Sequence, residues 1–223
     1  MIEIHSINKN EALRYLGYLD EEPTYDTLIA LEKNEKELLK VIKPRYIYKC
    51  FDLIKMEDKV ALKDCDLVLS GESIAKHLYY CDKAVLMCAT ISADVDKLIK
   101  KAQVEDLVDA VMLDSLASAV VEQLCDEVEE EIKKEYSDYS TTNRFSPGYG
   151  DLPLSIERDW LAVMDAQRKI GLFVTHGDML TPRKSVTAVI GLSESKIENI
   201  TLCDECEIKE KCEKRKRGEY CGL

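Results

Sequence analysis

The longest helical pattern in the sequence runs from about Asp106 to Tyr136, and it limits the folds that this chain can adopt. Its apolar residues recur every three or four positions, which is the spacing of a single buried helix face. The sequence therefore predicts one long helix that contacts the core through Leu113, Ala117, Val120, Leu124, Val128 and Ile132.

A second face of the same predicted helix is acidic. Glu122, Asp126 and Glu129 follow one another at spacings of four and three residues, so their carboxylates lie on one side of the helix. Like charges at these spacings repel by about 0.2–0.5 kcal/mol per pair. The pattern indicates either a solvated helix face or a place where a cation is held.

The rest of the chain mixes strand and helix patterns without strict alternation. IEIHSI, RYIYKCFDLIKM, KVALK, DCDLVLS and KAVLMCATIS are typical of strands, and LFVT, KSVTAVIGLS and IENITL predict three more near the end of the body. LSIERDWLAVMDAQRKI predicts one continuous helix that ends at Gly171. We expect an α+β (mixed α/β) fold with a twisted, largely antiparallel sheet in residues 1–200, followed by a Cys-rich tail in residues 201–223.

Charge and composition exclude several classes of protein. The 223 residues include 31 basic and 43 acidic side chains, a net charge of −12, which disfavours binding to nucleic acid or to an anionic membrane. No apolar run reaches the roughly 18 residues of a membrane span, and the N-terminus lacks the order of a signal peptide. We expect a cytoplasmic protein that binds a small ligand or a protein partner.

The nine cysteines fall into two groups. Cys50, Cys65, Cys81, Cys88 and Cys125 are scattered, and we interpret them as small buried apolar residues. The other four form a C-x2-C-x5-C-x8-C pattern at Cys203, Cys206, Cys212 and Cys221. Four thiolates are enough for a tetrahedral zinc site or an iron–sulfur cluster. The alternative is a tail that binds no metal and is sensitive to oxidation.

The stretch RFSPGYGDLPLSIERD, residues 144–159, concentrates unusual residue types before a predicted helix. Arg144 offers a rigid fork of donors that suits a carboxylate or a phosphate. Gly148 allows positive φ or a close approach of the backbone, and Tyr149 adds a flat aromatic face. These residues predict a binding loop for an anionic ligand group; alternatively, this is a helix-entry loop in which Arg144 pairs with an acidic residue.

The order of these segments resembles the activation, or reactivation, domain of cobalamin-dependent methionine synthase. In that family an Arg-x-x-x-Gly-Tyr loop precedes a helix that ends near an Ile-Gly pair, and a Pro-containing segment leads into a strand with Ser-Val. The resemblance covers about residues 85–200 and is carried by Arg144, Gly148, Tyr149, Ile170, Gly171, Pro182, Ser185 and Val186.

The resemblance implies a specific ligand and role. Members of the family bind S-adenosylmethionine and present it to cobalamin, so that oxidised cob(II)alamin, once reduced, becomes methylcobalamin. Arg144 would then bind the methionyl carboxylate, Gly148 would admit the ligand, Tyr149 would line the groove, and Asp126 would face the positive groups. The electron would come from a donor of the flavodoxin or ferredoxin type.

The chain has no recognisable cobalamin-binding module, so the resemblance implies action in trans on a methionine synthase or another corrinoid protein. It would take part in methyl transfer from S-adenosylmethionine to cobalamin carried by that partner. A noncatalytic metal-binding adaptor of a corrinoid methyltransferase system is the alternative. An unrelated methyltransferase is disfavoured, since no Gly-rich strand-to-helix loop occurs early in the chain.

Overall fold

The computed structural model describes residues 2–18 and 21–196. The helices are α1 (Lys9–Tyr15), α2 (Tyr25–Val41), α3 (Glu72–His77), α4 (Ala93–Glu105), α5 (Leu107–Glu135), α6 (Glu157–Met164) and α7 (Ala166–Ile170). The strands are β1 (Arg45–Lys55), β2 (Lys59–Leu62), β3 (Val68–Ser70), β4 (Lys83–Thr90), β5 (Ser140–Thr141), β6 (Phe173–Val174), β7 (Leu180–Thr181) and β8 (Ser185–Ser193).

Helix α5 confirms the longest pattern in the sequence. It spans 29 residues, and all six residues of the predicted apolar stripe are buried. Asp106 precedes the helix, and its carboxylate accepts a hydrogen bond of 2.8 Å from the backbone N–H of Val108. The local periodicity therefore set both the position and the buried face of this helix.

The chain divides into two compact units. The first comprises Met1–Ile47, Ala89–Glu131 and Gln167–Val186; the second comprises Tyr48–Cys88, Ile132–Ala166 and Thr187–Leu223, described as far as residue 196. Residues that are distant in sequence thus meet within each unit, which is why short motifs alone do not reveal either one.

Polar contacts join α2 to α5 within the first unit. The Asn34 side chain on α2 donates hydrogen bonds of 2.9 Å to the Ala30 carbonyl and 2.8 Å to the Asp109 carboxylate on α5. Lys33 contributes a second contact to Asp109, at 2.6 Å. The Ser92 hydroxyl accepts the N–H of Asp94 at 3.0 Å and caps α4.

A six-stranded sheet, in the order β3-β2-β1-β4-β8-β5, supplies the core of the second unit. The β1–β2, β2–β3 and β5–β8 pairs are antiparallel, with Leu53 opposite Leu62 in the first pair. Residues 84–90 of β4 are all buried, as expected for a strand covered on both faces. The predicted α+β fold with a largely antiparallel sheet is confirmed.

Two predicted elements differ from the structure. Residues 2–7 form no strand: Ile2, Ile4 and Ile7 are buried, but the Ile7 N–H donates to the Glu35 carboxylate at 3.2 Å instead of to a neighbouring strand. The helix predicted over 154–170 consists of a 3-10 turn, α6 and α7, because Asp165 adopts a left-handed conformation with φ +55° and interrupts it.

The scattered cysteines partly follow the prediction. Cys81, Cys88 and Cys125 are buried, whereas Cys50 and Cys65 are only half-buried. Burial raises the pKa of the Cys81 thiol to about 11, which keeps it protonated at neutral pH. The last strand that the sequence predicts, IENITL, lies outside the described residues.

Among the helices in the described part of the chain, none is both long enough and apolar enough to cross a bilayer.

Candidate functional site

The segment SPGY forms a tight turn in the middle of the predicted binding loop. The Tyr149 N–H donates to the Ser146 carbonyl at 3.0 Å, and Gly148 has φ +90°. Proline at the second position and a glycine with positive φ at the third are the features of a type II turn. Any other residue at Gly148 would have to adopt a strained backbone conformation.

A second turn closes the loop on itself. The Leu152 N–H donates to the Tyr149 carbonyl at 3.1 Å, and the Gly148 N–H donates to the Leu152 carbonyl at 2.8 Å. The N–H groups of Gly148 and Tyr149 are thus both used inside the loop. These two donors are therefore engaged within the loop and do not face a ligand.

Phe145 attaches the loop to the sheet of the second unit. It exchanges two backbone hydrogen bonds of 2.9 Å with Val189 on β8, and its ring is buried. Tyr149 packs edge-on against Phe145, with ring centroids 6.0 Å apart, yet 54% of its surface stays exposed. Arg144, which precedes the Phe145–Val189 hydrogen bonds, is half-buried. The strand pairing therefore fixes the point from which both side chains extend.

The C-terminal side of the loop attaches to helix α3. Asp151 accepts hydrogen bonds from the N–H groups of Glu72 and Ser73, at 2.6 and 3.0 Å. Gly150 permits this close approach, because a Cβ at that position would lie 2.5 Å from the Ser73 hydroxyl oxygen. The sequence did not indicate this contact, since nothing local relates residue 151 to residue 72.

His77, at the end of α3, supports the segment before Arg144. Its Nε2 lies 3.0 Å from the Asn143 carbonyl oxygen, and its ring centroid lies 5.0 Å from that of Phe145. Since a carbonyl only accepts, Nε2 carries the hydrogen. The buried imidazole is thus a second anchor that sequence patterns did not reveal.

Glu157 is a buried carboxyl group in the second unit, at the start of α6. It accepts a hydrogen bond of 2.6 Å from the Thr187 hydroxyl on β8. Burial raises the pKa of Glu157 to about 7, and the hydrogen bond from Thr187 offsets only part of this effect.

The solved structures that match this chain include the crystal structure of the MetH reactivation domain bound to AdoHcy, with a TM-score of 0.60. The match covers 95% of this chain and 74% of the solved chain, at 16% sequence identity. The chain has the fold of the MetH reactivation domain. No protein-family model matches the sequence, and no curated protein matches it.

The reactivation-domain fold confirms the resemblance that the ordered motifs predict. Two other motif segments lie in the first unit: Gly171 has φ +73° just after α7, and Ser185 begins β8. The Ser185 hydroxyl donates to the Pro182 carbonyl at 2.7 Å and lies 2.8 Å from the Thr90 hydroxyl oxygen. The Pro-x-x-Ser pattern is therefore a local hydrogen-bonded unit at the start of the strand.

The predicted ligand-binding residues fall into two groups within this reactivation-domain fold. Arg144, Gly148 and Tyr149 lie together in the loop of the second unit. Asp126 is exposed on the part of α5 that belongs to the first unit, with Glu122 and Glu129 half-buried near it in sequence. The structure thus groups three of the four residues and leaves the role of Asp126 a prediction.

The predicted metal ligands Cys203, Cys206, Cys212 and Cys221 lie outside the described residues. Within residues 2–18 and 21–196, no group of three or more His, Cys, Asp or Glu side chains is arranged to hold a metal ion.

Proposed function

We propose that this protein binds S-adenosylmethionine through the loop Arg144–Tyr149 and supports the reductive methylation of cob(II)alamin to methylcobalamin on a separate corrinoid protein, such as a cobalamin-dependent methionine synthase. The observation that supports this most is the loop itself. It combines a half-buried guanidinium group, a hydrogen-bonded Pro-Gly turn and a half-exposed tyrosine, in a fold shared with a domain solved with AdoHcy.

Arg144 is the proposed contact for the methionyl carboxylate. Its planar guanidinium group can donate two parallel hydrogen bonds to one carboxylate, a geometry that an ammonium group does not reproduce. Its half-buried position also reduces screening by salt and water, which strengthens an ion pair with the ligand.

Gly148 and Tyr149 are proposed to shape the wall of the binding site. The positive φ of Gly148 sets the turn that places Tyr149, and the exposed face of Tyr149 offers a surface for the adenosine ring or the sulfonium methyl group. The proposed role of Asp126, near the positive groups of the ligand, rests on the sequence resemblance alone.

Methyl transfer of this kind needs no acid or base from this protein. A separate donor of the flavodoxin or ferredoxin type would supply one electron to cob(II)alamin on the partner. The reduced cobalamin would then take the methyl group from S-adenosylmethionine, which leaves as S-adenosylhomocysteine. The contribution of this chain is to position the methyl carbon, and positioning alone accounts for large rate effects in bimolecular reactions. The net charge of −12 favours a partner surface with basic residues.

The alternative is a metal-binding adaptor whose loop is no longer used for binding. It depends on the four tail cysteines. The two functions differ in what they require: the first needs Arg144, whereas the second needs only the tail and an intact fold.

Calorimetric titration with S-adenosylmethionine tests the proposal. We expect saturable binding to the native protein and a Kd raised at least about tenfold in Arg144→Ala, because a charge-assisted hydrogen bond is worth about 1.5–3 kcal/mol. Arg144→Lys keeps the positive charge but loses the two parallel guanidinium donors, so its Kd should lie between those of the native protein and Arg144→Ala. Arg158→Ala, an exposed arginine of the same unit, is the matched control and should bind normally.

Tyr149 provides a second test at the same loop. Tyr149→Phe keeps the ring and should retain most of the affinity. Tyr149→Ala should weaken binding several-fold and lower the free energy of unfolding by about 0.5–1.5 kcal/mol, because it loses the edge-on contact with Phe145. Equal affinity of the native protein, Arg144→Ala and Tyr149→Ala would contradict the proposed site and favour the adaptor.

A further inference from the structure

Two buried polar atoms on one face of α6 point to a bound water molecule. Among the described residues, Glu157 Oε2 and Trp160 Nε1 meet no hydrogen-bond partner, although both atoms are buried. Glu157 is 3% exposed and Trp160 is 0% exposed. Leaving such groups unsatisfied costs about 1–3 kcal/mol each, so two of them close together need an explanation.

The helix places the two side chains as neighbours. Residues 157 and 160 are three positions apart on α6, so their Cβ atoms lie about 5–6 Å from each other on the same face. The other oxygen of the carboxyl group is already engaged, since Glu157 Oε1 accepts the Thr187 hydroxyl at 2.6 Å. Oε2 is thus the atom left to share a partner with the indole.

The chemistry of the two atoms selects the occupant. The indole N–H only donates, so its partner must accept, which excludes a cation. The neighbouring carboxyl oxygen accepts when ionised, so the same partner must also donate, which excludes a simple anion. A water molecule does both, and it is small enough for a site that is closed to solvent.

We propose that one buried water molecule bridges Glu157 Oε2 and Trp160 Nε1 and joins α6 to β8 through the Glu157–Thr187 hydrogen bond. Water can also accept a hydrogen bond from the carboxyl group once Glu157 is protonated, so the bridge persists in both protonation states. Val189, two residues after Thr187 on β8, carries the backbone bonds to Phe145, so this network supports the strand to which the Arg144–Tyr149 loop is attached.

A crystal structure of the full chain, at a resolution that shows ordered water, tests the site directly. We expect a water peak about 2.7–3.2 Å from both Glu157 Oε2 and Trp160 Nε1. A direct hydrogen bond between these two atoms, or the absence of a shared peak, would overturn the proposal. In Trp160→Phe, which keeps an aromatic ring but removes the donor, the peak should weaken or shift toward Glu157.

A double-mutant cycle measured by urea unfolding tests the same bridge in solution. Trp160→Phe should lower the folding equilibrium constant about fivefold or more in the native background and far less in a Glu157→Leu background, where the bridge is already lost. An equal effect in both backgrounds would count against a shared water. If Glu157→Leu does not fold, Glu157→Gln replaces it as the background. The Gln side chain keeps the bridge, so Trp160→Phe should have its full effect on the folding equilibrium constant there. A smaller effect of Trp160→Phe in the Glu157→Gln background would contradict the proposal.

Discussion

The Asp151 carboxylate accepts a hydrogen bond of 2.6 Å from the backbone N–H of Glu72, which is 79 residues away in the sequence. The first N–H groups of a helix have no partner within the helix, and Gly71 at the N-cap position of α3 has no side chain to supply one. Asp151 takes that role from outside the helix and also accepts the Ser73 N–H. The end of the Arg144–Tyr149 loop and the start of α3 are therefore stabilised by the same carboxylate.

Asp151→Ala should destabilise the protein by about 1 kcal/mol, the usual cost of a lost N-cap. Asp151→Asn, which keeps one side-chain oxygen as an acceptor, should cost less. Urea unfolding of the three proteins at neutral pH gives the comparison, and an Ala variant as stable as the native protein would contradict the capping role.

The same carboxylate predicts a pH dependence. Burial acts to raise the pKa of Asp151, but the hydrogen bonds from Ser73 and Glu72 outweigh it and hold the pKa below its ordinary value of 3.8. A lowered pKa means that the stabilisation is present above pH 3.8 and is lost as the pH falls through the folded-state pKa. The stability difference between the native protein and Asp151→Ala should therefore shrink in acid.

Glu157 predicts a pH dependence of opposite sign. Burial raises its pKa from 4.5 to about 7, so the folded state binds the proton more tightly than the unfolded state does. Its favourable contribution is complete below pH 4.5 and is lost as the pH rises to about 7. Glu157→Gln, which cannot ionise, should be on the order of 3 kcal/mol more stable than the native protein above that pH.

The comparison needs both ends of the pH range. Below pH 4.5 the native protein and Glu157→Gln should unfold at similar urea concentrations, and the gap should open between pH 4.5 and about 7. A gap that does not change with pH would mean that Glu157 is ionised in the folded protein throughout this range.

The two glycines of the loop should respond differently to alanine. Gly148→Ala places a Cβ 3.1 Å from a terminal carbon of the flexible Leu154 side chain, which can move. The free energy of unfolding should therefore fall by about 1–2 kcal/mol, mainly because alanine is strained at positive φ. Gly150→Ala places it 2.6 Å from Ser73 Cβ, which is fixed by α3, so the cost should reach about 2–5 kcal/mol. Gly177→Ala, where nothing lies within 4 Å, is the control and should be nearly neutral.

The tail cysteines predict a bound metal. Protein purified without oxygen should contain about one zinc ion or one iron–sulfur cluster per chain by elemental analysis, and Cys203→Ser with Cys206→Ser should remove it. Ser substitutions at Cys65 and Cys50 are the controls and should leave the metal content unchanged. A colourless protein without iron would exclude an electron-transfer role for the tail, and one without any metal would leave it a redox-sensitive segment.

Elements with long, local periodicity were predictable from the sequence. Helix α5 is the clearest case, because the spacing of its apolar residues alone determines which face is buried. Residues 2–7 show the limit of the same reasoning: alternating isoleucines report burial, but not whether a neighbouring strand is available for pairing. The break at Asp165 was missed for a related reason, since apolar spacing continues across a single left-handed residue.

The parts of the candidate site that depend on neighbouring residues were predictable from the sequence, whereas the contacts between distant segments were not. The Pro-Gly turn before Tyr149 follows from residue types within four positions. The contacts from Asp151 to α3 and from Glu157 to Thr187 join segments separated by 79 and 30 residues, so they depend on the tertiary fold.

The internal hydrogen bonds of Gly148 and Tyr149 have a consequence for how a ligand would bind. Because residues 146–152 are ordered by their own backbone contacts, the loop is preorganised, and little conformational entropy remains to be lost on association. Discrimination between ligands would then come from the fit of side chains to a rigid surface, and encounter with the correct ligand would not have to wait for the loop to fold.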